Sequence, residues 1–368
     1  MNIMDKSFFG KTGITTDKPV SPYLTWEKTR QYDLGLDMDM FNYRLNVKLD
    51  YYYKYTSSLI YDIPIPGSLY AFGAQVENAM EISNEGLELE LQADILRESA
   101  VSWRMKFNMA RNWNRFEKSY SGKDVVDGDG TLLVVGRPLN GLYVWAHRGY
   151  YNSDAEVPRL YKIDGQEIYF NGVATNGISG AVGDYRLLDL DGDGNPDSYY
   201  AGSPLPLAHG GWVNELMWKN FDLNVLVNFT IGRKMINNRM GLGFSRQSED
   251  GHLTKLFDYR KLRPWDGVNK KPNAPAWGNS LSMNTDSAIE KVHHLALKQI
   301  TLGYNLPDRI SKEAGLSGVR FFLTAENLFY LSNYSGGNPE VVNIYTGRDN
   351  GDTYPLPRKY TLGLTLNF

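Results

Sequence analysis

The amino-acid sequence predicts an all-β chain, part of an antiparallel transmembrane β-barrel with about nine strands and long extracellular loops. Apolar and polar residues alternate along many segments, so each predicted strand has one apolar and one polar face. Aromatic residues are frequent, with 25 Tyr, 15 Phe and 8 Trp, as in the aromatic girdles of such barrels. Short turns also alternate with long loops, which is the usual connection pattern of outer-membrane barrels.

Four strands are predicted in the first third of the chain, where they form two hairpins. In residues 43–55, the odd-numbered positions all carry Leu, Val or Tyr, whereas the positions between them are mainly charged or polar. The four predicted strands span residues 32–40, 43–55, 86–93 and 102–109, with a tight turn at Phe41-Asn42.

Further strands are predicted after residue 203, because residues 114–203 show no sustained alternation and are predicted to form a long loop. These strands span residues 211–219, 221–231, 292–305, 319–326 and 358–368, with a turn at Lys219-Asn220, a helical turn at 311–315 and polar loops at 233–291 and 332–357. If the C-terminus lies on the periplasmic side, both polar loops are extracellular. Because such barrels close with an even number of strands, the predicted odd number indicates that this chain alone does not close.

The last predicted strand illustrates the two faces. Its apolar face carries the even-numbered residues Tyr360, Leu362, Leu364, Leu366 and Phe368. A terminal strand of this kind is typical of an outer-membrane barrel, although the edge strand of a soluble β-sandwich would show the same pattern. The opposite faces of the strands repeatedly carry charged residues, which favours a barrel with a wet interior over a sandwich. These charges could guide a substrate or seat a plug, or simply line a solvated wall as pairs of opposite sign; they are Arg44, Lys48, Glu88, Glu90, Arg104, Lys106 and Arg320.

Composition excludes several classes of function. The formal net charge of −3 gives no basic footprint for nucleic acid. The chain has 0 Cys, so disulfides, thiolate metal sites and cysteine nucleophiles are all excluded. No apolar run approaches the length of about 18 residues that a membrane helix requires. We find no nucleophile–base–acid arrangement and no phosphate-binding loop, so we do not expect an enzyme.

A short acidic segment, Asp189-Leu-Asp-Gly-Asp-Gly-Asn-Pro-Asp197, matches the spacing of a calcium-binding loop. Oxygen ligands are expected from Asp189, Asp191, Asp193, Asn195 and Asp197, and Gly194 permits the sharp turn between them. The bidentate Glu expected at the twelfth position is replaced by Tyr200. The sequence therefore predicts a structural Ca²⁺ site in an extracellular loop; the alternative is a polar Asp-Gly turn that needs no ion.

Aromatic residues are concentrated in the long loop before residue 203. Aromatic faces stack on sugar rings or contact the side chains of peptides, so these residues are candidates for a substrate path. The alternative is that they pack the loop itself or contact a partner. The candidates are Tyr143, Trp145, Tyr150, Tyr151 and Tyr199.

Several segments resemble the C-terminal part of SusC-like (RagA-like) TonB-dependent outer-membrane transporters, and they occur in family order along nearly the whole chain. They include Leu24-Thr-Trp-Glu-Lys-Thr29, Asp50-Tyr-Tyr-Tyr-Lys-Tyr-Thr56, Asn84-Glu-Gly-Leu-Glu-Leu89, Leu302-Gly-Tyr-Asn-Leu-Pro307, Ala325-Glu-Asn-Leu-Phe329 and Gly337-Asn-Pro-Glu340. On this resemblance, residues 1–368 are the C-terminal part of the receptor barrel, and the signal peptide, TonB box and plug domain are absent from the sequence.

The resemblance implies a plugged barrel in the outer membrane that imports glycans or peptides. The implied partners are the TonB complex, acting through the missing N-terminal part, a SusD-like surface lipoprotein, and the surrounding lipid. Two other functions fit the residue pattern alone, namely a passive outer-membrane porin or adhesin and a soluble β carbohydrate-binding module.

Overall fold

A computed structural model describes the chain in fifteen segments, namely residues 3–8, 11–16, 21–65, 73–97, 99–126, 132–157, 159–161, 167–169, 182–192, 197–238, 263–268, 271–276, 285–313, 315–351 and 353–368. The chain divides into two compact units. The first unit comprises Met1–Ala93 and Lys106–Gly141, and the second comprises Asp94–Met105 and Leu142–Phe368.

The first unit is built around long antiparallel strands. The strands in this part of the chain are β1 (Ile3–Phe8), β2 (Lys11–Thr16), β3 (Lys28–Met40), β4 (Leu45–Pro64), β5 (Ala74–Leu96), β6 (Val101–Lys118), β7 (Val125–Val126) and β8 (Leu132–Leu133). Strand β4 lies between β3 and β5 and pairs antiparallel with both. The short strands form two separate hairpins, β1 with β2 and β7 with β8.

The turn between β3 and β4 confirms the predicted chain reversal but is wider than expected. Phe41, Asn42 and Tyr43 have φ angles of 53°, 55° and 60°, in the left-handed region. Three consecutive residues in that conformation cannot continue a strand. For this reason β4 begins at Leu45, and the prediction that Tyr43 starts the strand is wrong.

The second unit contains a larger antiparallel array. Its strands are β9 (Leu142–Trp145), β10 (His147–Tyr150), β11 (Arg159–Tyr161), β12 (Glu167–Tyr169), β13 (Tyr185–Leu187), β14 (Ser198–Gly202), β15 (Ala208–Trp218), β16 (Phe221–Asn237), β17 (Ile289–Asn305), β18 (Gly318–Ser332), β19 (Arg348–Asp349) and β20 (Lys359–Asn367). Strands β15, β16, β17, β18 and β20 pair with one another in that order, each antiparallel to the next. The short strand β19 runs parallel to β16 at its end.

The apolar faces of the long strands lie on the surface of each unit. In the second unit Leu223, Leu302, Leu323 and Leu362 are cross-strand neighbours and form one row across four strands. Leu362 is 81% exposed, and Leu302 and Leu323 are about half exposed. In the first unit Leu34 is 73% exposed. An exposed apolar surface of this extent marks contact with another apolar phase, not with water.

The buried clusters lie instead where the strands meet the long loops. In the first unit Met80, Phe116, Val125 and Leu133 pack together. In the second unit the clusters are Met235 with Val292, Tyr334 and Val342; Leu142 with Val144 and Ile236; and Tyr185 with Leu187. The described core therefore stabilises the loop ends of the strands.

Several strands continue further into the predicted loops than their patterns indicated. Strand β4 runs to Pro64 instead of residue 55, β5 begins at Ala74 instead of residue 86, and β18 runs to Ser332 instead of residue 326. Strand β6 extends to Lys118 and β16 to Asn237, so the loop starts predicted at residues 114 and 233 are too early. The end of β16 is covered on both faces, since the consecutive residues Met235 and Ile236 are both 0% exposed; at the end of β6, Phe116 is buried but Arg115 and Lys118 are exposed. Where both faces are buried, no period-two pattern is required.

The predicted helical turn is present but displaced. Helix α1 spans Asp308–Glu313, whereas the prediction placed the turn at residues 311–315. Pro307 precedes the helix, and Gly315 follows it with a φ of 75°, the usual start and stop signals of a helix. Among the described residues, no helix is both long enough and apolar enough to cross a membrane.

Candidate functional site

From Leu142 onward, the long loop before β15 forms small two-stranded antiparallel sheets in the second unit. Strand β9 pairs with β14, and β10 pairs with β13. These sheets bring together residues that are 35 to 60 positions apart in sequence, and they place most of the predicted substrate-path aromatics in one region. The alternation of β9 is visible in its burial, since Leu142 and Val144 are buried and Tyr143 and Trp145 are half-buried.

Three of the predicted aromatics pack within the loop. Tyr150 stacks on Tyr185 with 5.3 Å between ring centroids, and Trp145 packs against the cluster of Tyr185 and Leu187. Tyr151 is only 3% exposed. Burial raises the pKa of the Tyr150 and Tyr185 hydroxyls above the usual value, so both remain neutral. This arrangement matches the alternative in which the aromatics hold the loop together.

Of the other two aromatics, Tyr199 is accessible, whereas Tyr143 is half-buried. Tyr199 is 36% exposed, and its hydroxyl donates to Oδ2 of Asp286 at 3.2 Å. The other carboxylate oxygen of Asp286 bonds to Nδ1 of His147. Tyr143 packs beside Tyr200, with 5.7 Å between ring centroids. Of the five candidates, Tyr199 therefore presents a ring and a fixed polar group together at the surface.

Sequence reasoning missed the residues that organise this region. Tyr185 is 1% exposed and contacts His147 edge-on at 4.6 Å, and its hydroxyl accepts a hydrogen bond from Ser287 at 2.9 Å. Asp286 is 139 residues from its partner His147. A single Asp or His at such a separation carries no local signal, so only the folded chain identifies the pair.

The structure describes three of the five predicted calcium ligands. One carboxylate oxygen from each of Asp189, Asp191 and Asp197 lies within 4.8 Å of the others. Asp193 and Asn195 lie outside the described residues. The carboxylate of Asp197 accepts from the backbone amides of Leu190 at 2.5 Å and Asp191 at 3.1 Å. Such bonds are also found in turns that bind no ion.

The chain reverses tightly within this acidic loop. Gly192 has a φ of 84°, and its amide donates to Oδ1 of Asp189 at 2.6 Å. These bonds bring the three carboxylates together, and the set of hard oxygen donors fits Ca²⁺.

Two of the predicted charged residues on the polar faces, Arg104 and Arg320, are paired with a carboxylate. In the second unit Arg320 contacts Asp222 at 2.5 Å, and Arg104 contacts Asp94 at 2.7 Å. Arg320 reaches Asp222 across Gly303, where an added Cβ would lie 2.5 Å from the guanidinium. The pairing agrees with a solvated wall, the second of the two interpretations suggested by the sequence.

The loop after β18 is fixed to the end of β16. Arg233, 5% exposed, donates to three backbone carbonyls: Pro339 at 3.2 Å, Val342 at 2.9 Å and Asn343 at 2.7 Å. The hydroxyl of Tyr334 donates to Asp349 at 2.7 Å. This loop, residues 333–351, is therefore a built structural element, and we refer to it below as the cap loop.

Comparisons with known proteins agree in placing this chain among receptors of one kind. A family model described as "TonB dependent receptor-like, beta-barrel" matches residues 6–225. TonB-dependent receptor P26 of Formosa agariphila is 29% identical over 381 residues, covering 97% of this chain and 36% of the relative. TonB-dependent receptor SusC of Bacteroides thetaiotaomicron is 27% identical over 375 residues, covering 98% of this chain and 34% of the relative.

A solved structure shares the fold. The structure of the RagAB peptide transporter superposes with a TM-score of 0.74 at 23% identity, covering 100% of this chain and 38% of that one. This chain therefore spans little more than a third of the length of the relatives and structures it matches.

Proposed function

The chain belongs to the TonB-dependent receptor-like β-barrel family, and on that premise we propose that it is the C-terminal part of the barrel of an outer-membrane importer. On this proposal, the long antiparallel strands, about nine in number, form part of a larger barrel. The cargo we propose is an oligosaccharide or a peptide, because one similar protein is named SusC and a similar fold is titled a peptide transporter. The family is one of transporters and receptors, and we propose no catalytic step.

The observation that best supports this function is that the apolar side chains of the strands lie on the surface, whereas a soluble protein would bury them. Leu302, Leu323 and Leu362 face outwards in one continuous row, whereas the described core lies under the loops. At about 25 cal/mol per Å² of apolar surface, leaving these faces in water would be strongly unfavourable, and lipid removes that cost. A soluble carbohydrate-binding module would bury them.

The proposed partners follow from the family and from the accessible loops. Energised import requires the TonB complex, which we propose as a partner of the complete receptor. A SusD-like lipoprotein would cover the loop end of the barrel, and outer-membrane lipid would surround the apolar faces. Among the five aromatic candidates, Tyr199 is the one we propose to contact cargo, because its ring is accessible and its hydroxyl is held by Asp286.

We also propose that the acidic loop binds Ca²⁺ as a structural ion. Asp189, Asp191 and Asp197 would supply carboxylate oxygens, and the ion would hold the loop in one conformation. Adding Ca²⁺ should slow proteolysis between residues 186 and 200, and the Asp191→Asn variant should lose that protection. Asp154→Asn, an exposed change elsewhere in the same unit, is the matched control. Equal cleavage with Ca²⁺ and with a chelator would leave the loop as a polar turn.

Import is tested in the organism that carries this chain. Deleting the gene should abolish uptake of a labelled oligosaccharide or peptide pool, and deleting tonB should have the same effect. The protein should also fractionate with the outer membrane and need detergent for extraction. Uptake that depends on the gene but not on TonB would indicate a passive porin, and recovery in the soluble fraction would contradict membrane insertion.

A further inference from the structure

A cavity of about 310 Å³ lies between the cap loop and the loop end of β18. Its volume is at the lower end of the range for small-molecule sites, roughly 300–1,000 Å³. The lining includes apolar and aromatic side chains, among them Leu356 and Tyr330, and three charged groups, Lys298, Glu340 and Arg358.

The walls of this cavity are held in place before any ligand arrives. Arg233 fixes the backbone of the cap loop, as described above. The side chain of Asn338 accepts from the Glu340 amide at 2.9 Å, and the side chain of Asn327 donates to the Pro357 carbonyl at 3.1 Å. A preorganised site avoids the entropic cost of ordering loops on binding.

The acidic group in the cavity is already neutralised. The ammonium of Lys298 lies 3.3 Å from one oxygen of Glu340, and Nε2 of His294 lies 3.8 Å from the other. The side chain of Glu340 is only 16% exposed. It therefore has little capacity to bind a further cation.

The remaining charge in the cavity is positive. Within the described part of the chain, Arg358 makes no ion pair, although its neighbour Lys359 pairs with Glu326 at 3.5 Å. A guanidinium presents several N–H donors in one plane, which matches the two oxygens of a carboxylate. One unpaired guanidinium beside Tyr330 and Leu356 is complementary to an anion that carries an apolar or ring-shaped body.

We propose that this cavity is a binding site for a carboxylate-bearing ligand, with Arg358 contacting the carboxylate and Tyr330 and Leu356 contacting its body. The carboxylate could belong to the C-terminus of a peptide or to a uronic acid, because both present the same anionic group. The proposal rests on the proposed function, since it names the chemistry of cargo that an importer would meet at its loop end.

The test is calorimetric titration of the full chain in detergent micelles with two pairs of probes. N-acetyl-phenylalanine is compared with its amide, and digalacturonate with its methyl ester. At least one acid should bind about tenfold more tightly than its neutral partner, as expected for one charge-assisted contact. Whichever acid does so identifies the source of the carboxylate.

Variants tie that preference to one side chain. Arg358→Gln should remove the preference for the acid, and Arg358→Lys should keep part of it because the charge remains. Arg309→Gln is the matched control, since Arg309 is 89% exposed on α1. Circular dichroism verifies that each variant is folded.

Two results would overturn the site. The first is that the acid and neutral probes bind equally well or do not bind, and the second is that Arg358→Gln keeps the full preference for the acid. Binding in micelles needs neither TonB nor a membrane potential. Its failure would therefore leave the import proposal standing, and a failure of import would not remove the binding.

Discussion

Arg233 shows how one buried side chain can hold a whole loop. Its guanidinium donates to the carbonyls of Pro339, Val342 and Asn343, of which Pro339 also accepts from the Val342 amide and Asn343 from the Gly347 amide. We expect Arg233→Ala to destabilise the cap loop by about 3 kcal/mol, because hydrogen bonds from a charged group contribute about 1.5–3 kcal/mol each and the Val342 carbonyl loses its donor. Hydrogen exchange of residues 333–351 measures this as faster exchange, with the exposed Arg309→Ala as control. Unchanged exchange would mean that the loop is held by other contacts.

Glu340 gives the cap loop a dependence on pH. The proximity of His294, at 3.8 Å, followed by that of Lys298, lowers the pKa of this carboxyl, against the opposing effect of burial. A carboxyl whose pKa is lower in the folded state than in the unfolded state stabilises the fold. This contribution is complete above the usual Glu pKa of about 4.3, and it is lost as the pH falls through the pKa of the folded state.

Protection of the cap loop in hydrogen exchange should therefore decline on acidification below about pH 4.3. In Glu340→Gln the decline should be absent, because the amide does not titrate, while protection at neutral pH should be lower than in the parent chain. An identical acid profile in the parent and in Glu340→Gln would exclude this carboxyl as the cause.

Some residues of the candidate site could be predicted from the sequence and others could not. Tyr199 and the acidic loop were predicted because aromatic composition and Asp spacing are local signals. His147 and Asp286 meet only through the pairing of distant segments. The sequence around His147 and around Asp286 contains no pattern that points to the other residue. Their contact was therefore not predictable from one sequence.

At the scale of strands, the period-two pattern was sufficient to predict a strand wherever one face is apolar and the other polar. The nine long strands were all anticipated, since each carries such a pattern along part of its length, although in β5 (Ala74–Leu96) the pattern covers only residues 86–93. The pattern ended early at the loop end of β16, where packing covers both faces, as at Met235 and Ile236. Turn width was also missed, because Tyr43 fits the alternation and is nevertheless part of the turn.

A glycine on β20 permits close packing against an aromatic ring on β18. Gly363 is the cross-strand neighbour of Phe322, and an added Cβ would overlap the ring. An aromatic ring covering a glycine is a recognised device for holding strand register. We expect Gly363→Ala to destabilise the pairing of these strands by about 1–3 kcal/mol, the usual cost of overpacking.

The measurement is urea unfolding of the chain in detergent micelles, compared with Thr365→Ala on the same face of β20. Thr365 faces Arg320 across the strands and is exposed, so its truncation should change the midpoint little. If Gly363→Ala and Thr365→Ala unfold at the same urea concentration, the ring moves aside at little cost.

At the scale of the whole chain, the two faces of the sheet should respond in opposite ways to charge. Leu323 lies in the middle of the apolar row, between Leu302 and Leu362, and next to it in sequence Thr324 points to the polar face, where it bonds to Thr301 at 2.9 Å. In lipid, an Arg on the outer face near the bilayer centre costs about 2–4 kcal/mol, whereas an Arg facing water costs far less. Leu323→Arg should therefore reduce insertion into lipid vesicles much more than Thr324→Arg.

Insertion is scored by the protection of the strands from protease after vesicle flotation. The comparison distinguishes lipid from a dry protein core, because a soluble sandwich with a buried apolar face would also fail with Leu323→Arg but would never float with vesicles. Equal insertion of Leu323→Arg and Thr324→Arg would show that hydrocarbon does not cover the row of leucines. The import proposal would then lose its main support, because the exposed row would need a different apolar partner.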